Sequence, residues 1–244
     1  MGEHIVKTYD EELKRVSSTL LRMGGVVEGQ IAAAIQAVAR RDSALAQQVI
    51  EADRQVDELD ADVDHLCTRL LALRQPMAVD LRAIISAIKI TADLERIGDY
   101  AKNIAKRAIA LSQGPSIGPL YGVPRIGGMV QRMVKDVLDA YAEQDVDRAI
   151  DVWKRDEEVD ELYNSLFREL LTYMMEDPRN ITACTHLLFI AKNIERMGDH
   201  ATNIAEIVYF LISGRHLSEA RPKGDVTSSF AGPVETPEPG KAES

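Results

Sequence analysis

The sequence predicts an all-α protein: two tandem antiparallel three-helix bundles related by a pseudo-two-fold repeat, with a disordered C-terminal tail. Three observations carry this. Apolar residues recur at helical spacing almost throughout. From Leu45 through Val49, Ala52, Val56, Leu59, Val63, Leu66 and Leu70 to Leu73 the steps alternate between four and three, the seam of a long helix packed nearly parallel to a neighbour. No segment sustains the period-two alternation of a half-buried strand. Finally, ERIGDYAKNIA at Glu95–Ala105 returns as ERMGDHATNIA at Glu195–Ala205, with eight of eleven positions unchanged.

Punctuation divides the chain into six helices. The first covers about Ile5 to Arg40, and Asp42 and Ser43 offer caps for a second over Ala44 to Leu73. The second stops at Arg74–Pro76, because proline cannot continue a helix interior. The third runs from Ala78 to Ser112. Gln113–Pro124 then holds three Gly and three Pro in twelve residues, the composition of a linker. A fourth helix covers Arg125 to Glu143 and a fifth Val146 to Met175. Glu176–Asn180 breaks the fifth as Arg74–Pro76 breaks the second, and the sixth covers Ile181 to Ser213. From Arg215 the chain is rich in Pro, Gly, Ser and charge without apolar periodicity, which reads as disorder. The expected organisation is therefore a first bundle over 1–113, a linker over 114–124, a second bundle over 125–214 and a tail over 215–244. Short turns make each bundle antiparallel.

Composition excludes several classes. The 244 residues carry a net charge of −10, which argues against a nucleic-acid binder, since that needs a basic face. Cys67 and Cys184 sit within apolar helical patterns and read as reduced core residues of a cytosolic protein. The N-terminus lacks the apolar stretch of a secretory signal. Apolar runs such as Ile207–Ile212 are too short to span a bilayer.

The repeated stretch carries the chemistry. Glu95, Asp99 and Asn103 fall at i, i+4 and i+8, on one stripe of the third helix; Glu195, Asp199 and Asn203 do the same on the sixth. The preceding arms carry Asp53 and Asp57, continued by Asp60 and Asp64, and Asp156 and Asp160, matched through the shared Val-Asp-Glu-Leu at Val56–Leu59 and Val159–Leu162. Chain lengths bring the sets side by side. Asp57 and Glu95 each lie 19 residues from Pro76, and Asp160 and Glu195 lie 18 and 17 from Pro178. Four carboxylates converging from two helices suit a hard cation with oxygen ligands, such as Mg, Mn, Ca or Fe, rather than Zn. The alternative is a solvated acidic face. Gly98 and Gly198 each cost about 1 kcal/mol in a helix and leave room for a partner helix or a ligand. His200 has Tyr100 as its counterpart, so a ligand role for it is not shared by the two sites. No phosphate-binding glycine loop, Ser-His-Asp arrangement or paired Glu-x-x-His is present.

The stretches DLERIGDYAKNIA, NIERMGDHATNIA, DRQVD and DEEVD, duplicated at this spacing, resemble the PhoU family of bacterial phosphate-signalling regulators, from about Ile5 to Ser213. The tail is longer than the family pattern needs. The resemblance implies a cytoplasmic, non-enzymatic negative regulator of phosphate-starvation signalling and phosphate uptake, assembled as a homodimer. Its implied partners are the ATPase subunit of a phosphate ABC transporter and a membrane sensor histidine kinase, with peripheral recruitment to the membrane and no insertion. Carried over by motif, the family's metal positions become Asp53, Asp57, Glu95 and Asp99, then Asp156, Asp160, Glu195 and Asp199, holding divalent or trivalent ions such as Mg, Mn or Fe. The rivals are a helical adaptor or chaperone for another phosphate transporter, with incidental metal binding, and a metal-dependent enzyme.

Overall fold

The computed structural model describes residues 2–74, 76–114 and 122–217, with side chains given from Tyr9 onward except at Arg74. The helices are α1 (Gly2–Arg40), α2 (Ser43–Arg74), α3 (Val79–Gln113), α4 (Gly122–Glu143), α5 (Val146–Lys154), α6 (Asp156–Glu176) and α7 (Ile181–Ser213), with a 3₁₀ turn at Pro178–Asn180. The described residues contain no strand. No described helix is long and apolar enough to cross a membrane.

Two boundaries differ from expectation. Helix α4 opens at Gly122, inside the expected linker, so that Pro124 occupies the first turn. Its missing N–H would have no helical partner there, and its fixed φ suits the helix. The rest of the linker, residues 115–121, and the tail from 218 lie outside the described residues. The expected fifth helix is two helices broken at Arg155. The Arg155 N–H reaches back only to the Val152 carbonyl, at 3.2 Å. The Arg155 guanidinium is held 2.7 Å from Asp136 on α4.

Both α1–α2 and α4–α5 turn by the same device. Arg41 and Gln144 take left-handed backbone angles, with φ of 55° each. The next residue is then an aspartate whose side chain accepts the backbone N–H three residues on: Asp42 from Leu45 at 2.9 Å and Asp145 from Arg148 at 3.0 Å. Each cap satisfies one of the orphan donors of a helix start.

Within a half, the second and third helices run antiparallel. The Cys67 thiol faces the Ile84 carbonyl, while Val56 packs on Gly98. The halves are also joined to each other, and the joints repeat. A Cβ on Gly24 of α1 would lie 2.5 Å from Leu138 Cδ1 of α4, and one on Gly127 of α4 would run into Ile35 of α1. The two contacts are mates under the repeat, since Gly24-Gly25 and Gly127-Gly128 are each followed eleven residues after their first glycine by a large aliphatic, Ile35 or Leu138. Helix α3 packs against α7 as extensively as against α1 or α2. Asp93, Tyr100 and Arg107 of α3 meet His200, Arg196 and Phe189 of α7, so these two helices also run antiparallel. One hydrophobic core, from Val16 to Val208, therefore runs through both halves. Cys67 and Cys184 are buried free thiols within it.

Gln30 is a poorly matched polar group in this core. It is buried, and among the described residues neither amide atom has a hydrogen-bond partner. An unsatisfied buried amide costs about 1–3 kcal/mol. The same place in the repeat, counted from the Gly-Gly pair, is Met133, fully buried. Gln30→Met is expected to raise the unfolding free energy by about 1–2 kcal/mol, measured by urea denaturation; an unchanged or lower midpoint would show that the amide is satisfied.

Candidate functional site

The two carboxylate clusters form where the sequence places them, between α2 and α3 and between α6 and α7, yet their surroundings differ. In the first, Asp53 is 5% exposed, Asp57 is exposed, and Glu95 and Asp99 are half-buried. In the second, Asp156, Asp160 and Glu195 are 3%, 5% and 5% exposed, and Asp199 is half-buried. The second cluster thus takes three carboxyls out of water where the first takes one.

Cations answer the charge in the first cluster. Lys102 on α3 ion-pairs with Asp53 across the helix contact and lies 3.1 Å from Asp99. The Asp53 hydrogen bond is the largest influence on the ammonium and pushes its pKa well above the ordinary lysine range. Arg96 lies 3.5 Å from Glu95 and 3.8 Å from Asp99. The Glu95 carboxyl is raised chiefly by burial, then by Asp99; Arg96 opposes, and Asp60 and Asp57 of α2 add to the rise. Val56 against Gly98 sets Asp57 and Glu95 near one level, the registration read from the chain lengths. Burial also raises Asp60, with Asp64 and Asp57 adding, while a hydrogen bond with Thr91 opposes.

In the second cluster the counterpart of Lys102 is Thr202. Its single hydroxyl hydrogen is within reach of Asp156 at 3.1 Å and of the Gly198 carbonyl at 3.0 Å. A lysine stands instead at the other end, Lys192, 3.0 Å from Glu195, and Arg196, the counterpart of Arg96, is drawn on by Tyr100 first and then by Glu195 and Asp199. Lys192 does not outweigh desolvation. Burial first, then Asp199 and Asp160, push the Glu195 carboxyl up to about 7.

The glycines serve close packing. A Cβ on Gly98 would meet Gln30 Oε1 at 3.2 Å and Val56 Cγ1 at 3.4 Å; one on Gly198 would meet Val159 Cγ1 at 3.2 Å and Val130 Cγ2 at 3.6 Å. His200 lies outside both clusters. Its Nδ1 is 2.6 Å from Asp93 on α3, and Asn203 donates to the same oxygen at 3.4 Å. This polar contact joins the two halves, and the Tyr100 and His200 rings lie 5.7 Å apart beside it. Spacing alone missed Asp93 and Lys102, since neither belongs to a carboxylate pair that repeats.

Metal fit divides the clusters. In the first, an ammonium already lies between Asp53 and Asp99 and Asp57 is exposed, so the residues do not suit a bound ion. In the second, three carboxyls are buried and Thr202 stands where Lys102 stands in the first; Lys192 and Arg196 bring positive charge to Glu195 and Asp199, and the oxygen donor set suits an added cation. No trio of His, Cys, Asp or Glu among the described residues is already arranged to grip one.

The fold and its clusters define a duplicated three-helix-bundle protein that, among the described residues, gathers paired carboxylates between its helix arms. Residues 20–108 match the PhoU domain, and residues 123–208 match it again; the chain belongs to the PhoU family. It is 56% identical, over 93% of its length and 100% of the relative's, to a phosphate-specific transport system accessory protein PhoU homolog of Caulobacter vibrioides. A homolog of the same description from Rhizobium meliloti is 48% identical over 93% of this chain and 96% of the relative. The crystal structure of PhoU from Pseudomonas aeruginosa superposes with a TM-score of 0.83 at 47% identity, covering 85% of this chain and all of that one. That of the phosphate transport system regulatory protein PhoU from Streptococcus pneumoniae gives 0.80 at 29%, covering 86% and 100%. These names describe accessory and regulatory proteins, not enzymes.

Proposed function

We propose that this chain is a non-enzymatic accessory protein of a phosphate-specific transport system, acting in the cytoplasm as a negative regulator that couples the transporter to a sensor histidine kinase. The observation that carries the reading is its near full-length match to relatives described as accessory proteins of phosphate-specific transport. The surface is compatible with docking. The helices are long, and their exposed faces carry acids, among them Glu51, Asp57, Glu58, Asp62 and Asp64 on α2. Such faces suit basic patches on partners. The transporter's ATPase subunit, the kinase's cytoplasmic part and a second copy of this chain are the proposed partners.

Cation binding, expected from spacing at both clusters, is proposed for the second alone. Asp156, Asp160, Glu195 and Asp199 would hold the ion. Bound there, a Mg, Mn or Fe ion would supply charge neutralisation between α6 and α7.

A clean deletion is expected to leave phosphate-starvation genes expressed in high phosphate, because the contact that keeps the kinase quiet is lost. Transcript levels in deletion and complemented strains measure this. Normal repression without the protein would refute the kinase coupling, and a pull-down then shows whether the transporter contact stands alone.

A further inference from the structure

Lys102 and Thr202 hold the same place in the repeat, three residues after Asp99 and Asp199. Their partners are equivalent too, since Asp53 and Asp156 are counterparts. Their chemistry is not. An ammonium is a compact charge with three donors. Lys102 uses it to bridge Asp53 on α2 and Asp99 on α3, the position a hard cation between these arms would take. Its head is partly buried, with a side-chain exposure of 26%, beside an Asp53 side chain at 7%. Arg96 covers the outer edge of the same cluster. Thr202 satisfies Asp156 with a hydroxyl and brings no charge.

We propose that Lys102 is a built-in counter-ion that stands in for a metal ion in the first carboxylate cluster, so that α2 and α3 hold together without added cation. The duplication therefore carries two clusters of one ancestry that answer the equivalent aspartates, Asp53 and Asp156, differently: with an ammonium in the first and a hydroxyl in the second. The family pattern of two equal metal sites does not extend to the first half of this chain.

The test uses the full chain, chelator-treated, with melting followed with and without Mn²⁺. Lys102→Met keeps the aliphatic stem and removes the charge, leaving Asp53 buried without its cation. Its melting temperature is expected to fall by about 5 °C or more. Mn²⁺ should recover part of that loss, and adding Asp99→Asn to the variant should abolish the recovery. Thr202→Lys should raise the melting temperature in chelator and shrink any Mn²⁺ response of the second cluster. If Lys102→Met does not fold, the answer comes from Asp99→Asn alone, which should leave the wild-type Mn²⁺ response unchanged. The proposal is overturned if Lys102→Met melts with the wild type, if it falls without any Mn²⁺ recovery, or if Asp99→Asn diminishes the wild-type response.

Discussion

Gly127→Leu is expected to lower the unfolding free energy by about 2 kcal/mol or more. The glycine sits where α4 crosses α1, and a Cβ there would collide with Ile35 Cδ1 while lying 2.8 Å from Cγ1 and 3.3 Å from Cγ2. Ile35 is β-branched and stiff at χ1 in a helix, and it lies in the core, so it has little freedom to retreat. Overpacking of this kind costs about 1–3 kcal/mol and sometimes more. Leucine adds three further carbons to the clash. Against this stands a helix-propensity gain of about 1 kcal/mol. Gly25→Ala and Gly29→Ala supply the controls. Both glycines are exposed on α1, with nothing within 4 Å of the added carbon. Each should stabilise the protein by about 0.5–1 kcal/mol. Urea midpoints measure all three. If Gly127→Leu rises along with the controls, the halves do not meet at this crossing.

Glu195→Gln is expected to stabilise the protein at alkaline pH and to leave it nearly unchanged in mild acid. Burial, with Asp199 and Asp160 adding, raises the folded carboxyl from its ordinary 4.5 to about 7. The folded chain therefore binds this proton more tightly than the unfolded chain does. By linkage the contribution is complete below about pH 4.5 and is lost as pH rises through about 7. Each unit is worth about 1.4 kcal/mol, so the whole effect reaches about 3 kcal/mol at most. Glutamine is neutral at every pH and keeps the shape, though it gives up the Lys192 ion pair. The variant should gain up to about 2–3 kcal/mol over wild type at about pH 8.5 in chelator, with the gain vanishing near pH 5. A stability difference that stays constant across that range would show Glu195 to be ionised throughout.

The sequence by itself determined the class, the duplication and the pairing of arms within each half. These rest on local periodicity and chain length. The heptad seam from Leu45 packs α2 along its neighbours as far as Leu70, while Leu73 at its end is exposed, and equal arms about Pro76 bring Asp57 and Glu95 to the same level. The aspartate cap at Asp42 was legible too, because its hydrogen bond spans three residues. Tertiary structure alone decided how the halves join and how each carboxylate is answered. The Gly-Gly pairs at Gly24 and Gly127 stand in the sequence, but the helix that fills the space above them comes from the other half of the chain. The break at Arg155 coincides with an ion pair to Asp136, on a different helix. Lys102 and Lys192 look alike as exposed-face lysines in a helical pattern. Only packing places one between two aspartates and the other at the margin of a cluster where burial outweighs its charge. Desolvation and cross-helix ion pairing depend on which atoms of distant segments exclude water together, and that is a property of the packed chain and not of any window of its sequence.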